Sequence, residues 1–248
     1  MILTYGESER GLVRKANEDA INLSVENLYI LADGMGGYDG GQIAGTLAVE
    51  SVGHFFSASL EPAFSEESLK EAFYAANRAI LNEKKDHPEW KSMGTTLAAA
   101  ALSEGRVLWA HVGDSRLYRF QDGRLEQITT DHSFVMELVN EGKLSREEMR
   151  VHPRKNEITR AVGIGEILEV DTGSFDLKDG TFLLLCSDGV SGMVEDCDLE
   201  SLIASSPRKT KEELKEWAVY DEQSNMFIWE RLGCGNYSPT HFGLSLPE

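Results

Sequence analysis

Three aspartates stand beside glycine, each at the far end of an apolar run of strand length. They are Asp33-Gly34 after residues 28–32, Gly113-Asp114 after residues 107–112, and Asp188-Gly189 after residues 182–186. One Asp-Gly after a strand is commonly only a turn, so the reading rests on its recurrence. If the strands share a core, their ends can converge and gather three carboxylates around one point. Like charges that close repel and raise one another's pKa unless a cation neutralises them. Carboxylate and backbone carbonyl oxygens suit Mg²⁺ or Mn²⁺. Zinc would call for His or Cys at ligand spacing, and the chain has neither an HxxxH pair nor a CxxC. Two hard cations about 3.5–4 Å apart can activate a bridging water and stabilise in-line displacement at phosphorus. Phosphate-monoester hydrolysis needs such help, since enzymes accelerate it by up to ~10²¹.

Other chemistries lack their residues. No Gly-x-Ser-x-Gly elbow and no GxxxxGK[ST] loop occur, and no cysteine is followed six positions later by arginine. Gly34-Met35-Gly36-Gly37 is superficially like a dinucleotide loop, but the third glycine is misplaced and the βαβ context is missing. The 248 residues are enough for a full core, and the formal net charge of −18 argues against nucleic-acid or anionic-membrane surfaces. Three cysteines, Cys186, Cys197 and Cys234, form an odd total without a close pair, which suits a reducing compartment. The N-terminus lacks signal-peptide character and no apolar run approaches the ~20 residues of a membrane span. A cytoplasmic protein is expected, monomeric and without nucleic-acid or membrane partners.

The elements that must position the aspartates follow from local pattern. Residues 2–8 and the alternating stretch 20–25 read as strands, and residues 25–28 as a turn into the Asp33 strand. Helical spacing covers about 42–60, and Ser65-Glu66-Glu67 opens a second helix to about Lys85. Three hairpins are predicted, at Glu104-Gly105, at Asp122-Gly123 with a type I′ turn, and at Asp179-Gly180 between strands 170–175 and 181–186. Residues 132–160 read as a small helical insertion. Helices are expected around 199–204 and 211–218, and a last strand from Met226. Directly joined strands with helices in two groups imply an α+β chain with mainly antiparallel sheets, in one domain.

The motifs then resemble a known family. Gly11-Leu12-Val13-Arg14-Lys15-Ala16-Asn17-Glu18-Asp19, Ala32-Asp33-Gly34-Met35-Gly36-Gly37, Gly94-Thr95-Thr96, Val112-Gly113-Asp114-Ser115-Arg116, Asp131-His132-Ser133, Ile158-Thr159-Arg160-Ala161-Val162-Gly163 and Cys186-Ser187-Asp188-Gly189 are similar, in order, to the motifs of bacterial PPM (type 2C) metal-dependent Ser/Thr protein phosphatases. The resemblance spans residues 6 to about 195. It implies a four-layer α-β-β-α sandwich over residues 1–248, with 132–160 as a flap beside the site and an atypical tail at 233–248. It implies two Mn²⁺ or Mg²⁺ ions and a weaker third. Asp33 would bridge the first two, the Gly34 carbonyl would bind one of them, and Asp188 would ligate the first. Asp114 with Asp188 would hold the third, Glu18 and Asp19 would hold metal-bound waters, and Arg14 would grip the substrate phosphate through its bidentate fork. The implied partners are a phosphorylated protein and an opposing Ser/Thr kinase.

Two departures bear on activity. Family members carry a histidine at the position of Met35 or of Tyr38, so the general acid is unassigned here. The family's last strand is preceded by Asp-Asn, whose Asp ligates the first metal; this chain has Gln223-Ser224-Asn225-Met226 there. Cys234-Gly235-Asn236 is a poorer match, because Ser224-Asn225 leads into an apolar run. The loss of that carboxylate should weaken the first ion. Two readings result: a phosphoserine/phosphothreonine phosphatase of reduced activity, and a weakly active or inactive relative that binds a phosphoprotein or regulatory partner. His111, in an apolar strand, is expected to be a hydrogen-bonded core histidine, and His132 and His152 to serve turns and packing at the flap.

Overall fold

The computed structural model describes residues 2–8, 16–36, 40–58, 63–205 and 226–232. Its strands are β1 (Ile2–Ser8), β2 (Asp19–Asn22), β3 (Leu28–Met35), β4 (Gly94–Thr95), β5 (Leu97–Ser103), β6 (Arg106–Val112), β7 (Arg116–Gln121), β8 (Arg124–Gln127), β9 (Asp171–Asp176), β10 (Phe182–Cys186) and β11 (Met226–Leu232). The α-helices are α1 (Gly40–Ser57), α2 (Glu66–Asp86), α3 (Phe134–Asn140), α4 (Arg146–Val151), α5 (Asp188–Ser191) and α6 (Asp196–Ser205). One sheet runs β1-β11-β10-β7-β8. The other runs β2-β3-β5-β6-β9, with β4 paired to β3. Every strand pairing is antiparallel.

Successive side chains on a strand point to opposite faces, and three separate cores show where those faces go. Leu28, Ile30 and Ala32 of β3 pack with Ala48 and Val52 of α1 and Phe73 of α2. Their neighbours Tyr29 and Leu31 turn the other way, into a core shared with Leu117 of β7 and Leu183 and Leu185 of β10. The outer face of that second sheet, Tyr118, Phe182 and Leu184, packs against Leu199 and Ile203 of α6. Helices, sheet, sheet and helix therefore stack as the four expected layers. Central strands buried on both faces read as unbroken apolar runs, as in residues 28–32 and 182–186. The alanines 98–101 of β5, all buried, keep that strand thin where it is covered on both sides.

Local signals mostly became the expected local structure. Ser65 caps α2 with a full capping box, its hydroxyl accepting from the Ser68 backbone N–H at 3.0 Å. Asp122 and Gly123 both take positive φ, 53° and 80°, as a type I′ turn between β7 and β8 requires. The hairpin at Asp179-Gly180 does not form. β9 pairs with β6 in one sheet, whereas β10 lies between β11 and β7 in the other. Asp179-Gly180 is a turn that carries the chain across the sandwich. Turn residues report only a change of direction; the pairing partner is chosen by burial, and the fully buried β10 takes a central place. The helix expected at 211–218 lies outside the described residues.

Candidate functional site

The crossing between sheets is what builds the site. β6 belongs to one sheet and β7 to the other, so Gly113-Asp114-Ser115 passes from layer to layer at one end of the sandwich. Gly113 has φ of +111°, and a Cβ there would meet Thr96 Cγ2 at 2.6 Å, so only glycine fits this turn. β10 ends at the same place and delivers Ser187 and Asp188, the latter as the first residue of the short helix α5. From the opposite sheet β3 brings Asp33, with Asp19 of β2 as its register partner. Ser187 Oγ donates to Asp19 Oδ2 at 3.0 Å and ties the two sheets at this end.

Backbone and threonine contacts hold Asp33 in place. Its N–H donates to Thr96 Oγ1 at 2.8 Å, and its carbonyl accepts from the Thr96 N–H at 2.9 Å and from Thr95 Oγ1 at 2.9 Å. Thr96 Oγ1 in turn meets Ser115 Oγ at 2.7 Å, so one threonine touches both the Asp33 strand and the Asp114 turn. The Gly34 N–H donates to the Glu18 carbonyl at 3.0 Å. A Cβ at Gly34 would overlap the Gly41 carbonyl at the start of α1, which is why the strand continues into glycine here. Gly41 itself faces the Glu18 carboxylate, where a side chain would collide with Glu18 Oε1.

Burial raises the Asp33 pKa well above the ordinary carboxylate value. The charges of Asp19, Asp188 and Asp114, in that order, push it further, together with a hydrogen bond to the Asp19 side chain. Asp114 is pushed up to about 7, first by burial, then by Asp188 and Asp131, against a smaller opposing pull from Arg116. The four sequence-predicted aspartates thus share one electrostatic environment, and Glu18 adjoins it through the backbone. Among the described residues, no three His, Cys, Asp or Glu side chains already form a closed ligand group. The donors fit a hard divalent cation by chemistry: they are oxygens only, they repel one another, and a cation would relieve that repulsion. Arg14, Tyr38, Ser224 and Gly235 lie outside the described residues.

Arg116 and Asp131 are functional neighbours that the motifs contain but that the sequence left without a role. Both are buried. Arg116 Nε donates to Asp131 Oδ1 at 2.9 Å and Nη2 to Oδ2 at 2.6 Å, while Nη1 donates to Tyr118 Oη at 2.8 Å. Gln127 Nε2 also donates to Asp131 Oδ1 at 2.8 Å. The available signal was charge at spacing: an arginine two positions after Asp114 and an aspartate before His132. Among the described residues, removing Asp131 leaves the buried guanidinium with only the half-exposed Asp196, 3.8 Å from Nη1, as a counter-charge. Asp131→Ala should therefore lower unfolding stability by about 3–5 kcal/mol in urea denaturation. Asp131→Asn, which keeps an acceptor, should cost visibly less.

Residues 132–160 contain two short helices, α3 and α4, capped by Ser133 and Ser145. Phe134 is covered by the Arg154 guanidinium, 3.5 Å from the ring centroid. A cleft is lined by Asp114, Asp188 and Ser191 together with Met149, Arg150 and Lys155 from residues 132–160. His111 is fully buried as expected, but among the described residues neither ring nitrogen makes a well-formed hydrogen bond, in contrast to the hydrogen-bonded role expected for it; the Ser115 backbone acts on the ring only weakly. Burial pushes its pKa down to about 3, so the ring is a neutral packing group, tilted against His132 at 4.8 Å.

Comparison with known proteins agrees with this architecture. The family model described as protein phosphatase 2C matches residues 13–222. The chain belongs to the protein phosphatase 2C family. The serine/threonine phosphatase stp of Listeria welshimeri is 35% identical over 228 residues, covering 89% of this chain and 88% of that protein. The serine/threonine protein phosphatase PstP of Mycobacterium tuberculosis is 39% identical over 198 residues, 79% of this chain and 38% of the longer relative. A crystal structure of the PstP catalytic domain in complex with two manganese ions superposes with a TM-score of 0.82 at 33% identity. That alignment covers 94% of this chain and 99% of that one. The family match stops at 222, directly before Gln223-Ser224-Asn225.

Proposed function

We propose that this family member hydrolyses phosphoserine and phosphothreonine esters on proteins with Mn²⁺ or Mg²⁺, as a single catalytic domain carrying a flap at 132–160. The observation that carries the reading is the convergence of Asp33, Asp19, Asp114 and Asp188 between the two sheet ends, in a chain of this family. Asp33, with the Gly34 carbonyl and Asp188, would hold the principal ions; Asp114 with Asp188 would hold a weaker third; Glu18 and Asp19 would orient water. The ions, when bound, supply a nucleophilic water at neutral pH and charge stabilisation at phosphorus. Arg14 would grip the phosphate. Lys155 adds positive charge to the cleft lined by Asp114 and Asp188, where Arg150 is paired with Glu195 and Arg116 with Asp131, and this favours entry of a phosphorylated segment. On this reading the protein works as a monomer in the cytoplasm, opposite a Ser/Thr kinase.

Ser224 in place of the usual aspartate supports a reduced rate, and it supports a second reading, a phosphoprotein-binding relative with little turnover. Hydrolysis of a phosphothreonine peptide separates them. Phosphate release should appear with Mn²⁺, vanish in EDTA and return when Mn²⁺ is restored. A rate with Mn²⁺ no higher than the peptide blank, alongside measurable peptide binding, would favour the non-catalytic reading.

A further inference from the structure

The geometry points to His132 as a positioning residue: one imidazole holds the turn that carries Asp114 and joins it to both stems of the flap. The residue is 6% exposed and lies at the point where the flap begins. Its backbone N–H donates to the Gly113 carbonyl at 2.7 Å, and its Nδ1 accepts from the Gly113 N–H at 3.1 Å. Gly113 is therefore gripped at both of its backbone polar groups by a single residue, directly before Asp114. A backbone N–H can only donate, so Nδ1 is the unprotonated nitrogen and Nε2 carries the hydrogen. Nε2 then donates to Asp171 Oδ2 at 3.1 Å; Arg160 Nη1, 3.3 Å from Nε2, is itself a donor and finds its acceptor in Asp171 instead. Asp171 Oδ1 accepts from Arg160 Nη1 at 3.0 Å, and Arg160 stands at the far end of the flap.

The flap's two stems close on the same residue. The Thr159 N–H donates to the His132 carbonyl at 2.8 Å, Ser133 bridges Ile158, and the Phe134 N–H donates to the Glu157 carbonyl at 2.8 Å. The opposite side of the turn is fixed by Thr96 through Ser115, so the Gly113-Asp114 turn has one clamp reaching Asp33 and another reaching the flap. Gly113 needs such clamping because its backbone lies in the left-handed region and its wide conformational freedom would otherwise blur the Asp114 direction. Outer contacts that orient ligating groups typically change metal affinity by 10–100-fold when lost.

The role of Asp114 as an ion ligand rests on the function proposed above; the grip on Gly113 does not. Two near-isosteres divide the imidazole's contacts. Asn puts an acceptor where Nδ1 was and keeps the Gly113 bond, whereas Gln puts an amide where Nε2 was and keeps only the Asp171 bond. In metal-free protein, exchange of the Gly113 amide hydrogen should be slow in wild type and His132→Asn and at least about tenfold faster in His132→Gln. In calorimetric titration with Mn²⁺, His132→Gln should weaken the lower-affinity ion about tenfold, with His132→Asn within about threefold of wild type. Equal losses in both variants, or no change in either, would overturn the assignment. Wild type that protects the Gly113 amide but binds no Mn²⁺ would sink the proposed function and leave the grip intact.

Discussion

Asp33→Asn should abolish Mn²⁺-dependent phosphopeptide hydrolysis, by more than about 100-fold, and at the same time make the metal-free protein more stable. The loss follows from the proposed bridging role, since a lost electrostatic contact to a developing transition state costs rates on that scale. The gain follows from the site's own repulsion. Asp33 is buried, and Asp19, Asp188 and Asp114 all oppose its ionisation. A carboxyl whose folded-state pKa is raised stabilises the fold only while it keeps its proton. That contribution is present below the ordinary value of 3.8 and is lost as pH rises through the raised one. The neutral amide escapes this loss. In EDTA, the thermal midpoint of Asp33→Asn should therefore exceed that of wild type at pH 8 and converge with it near pH 4. With Mn²⁺ the order should reverse, because the cation stabilises only the carboxylate form. A variant that is less stable than wild type in EDTA at pH 8 would mean that Asp33 is not a strained anion.

Ser224→Asp should raise the rate at limiting Mn²⁺ by about tenfold or more, with a smaller gain at saturating Mn²⁺, because ligand charge count sets cation affinity. The register of β11 gives the physical reason. Met226 pairs with Ser8 and Phe227 with both Glu7 and Cys186, so β11 enters its sheet beside the point where β10 gives way to Asp188. β11 is seven residues long, so its far end, Leu232, is about 20 Å away at strand rise, and Gly235 comes later still in sequence, outside the described residues. Gly235→Asp should accordingly change nothing. Phosphatase assays over a Mn²⁺ series, run beside Mn²⁺ titration calorimetry, read both variants. Unchanged affinity and rate in Ser224→Asp would overturn the expectation that the serine at 224 lowers the rate.

These expectations divide by what each residue owes to local pattern. Asp33, Asp114 and Asp188 were legible because each ends a run whose burial on two faces requires unbroken apolar sequence, and each adjoins glycine. The motif order extended that pattern to Arg14, Glu18 and Asp19. The buried Arg116–Asp131 pair and the two-sided hold of His132 on Gly113 were not legible as contacts. Their partners are 15 and 19 residues apart and meet because the β7–β8 hairpin returns the chain to the point where it crossed from β6. The failed hairpin at Asp179-Gly180 has a different origin, since a turn signal carries no information about the strand's eventual partner.

By itself, the sequence determined the family, and it carried the expectations of an oxygen-donor site and of serine where the family has aspartate before Asn225, because motifs, residue types and apolar runs are local properties. Only the tertiary structure decided which sheet each strand joined, which carboxylates repel one another, and how the flap is fastened to the Asp114 turn. Those depend on long-range burial and on crossings between layers. The same crossings that leave no trace in neighbouring residues bring the charges of Asp33 and Asp114 together at one end of the sandwich.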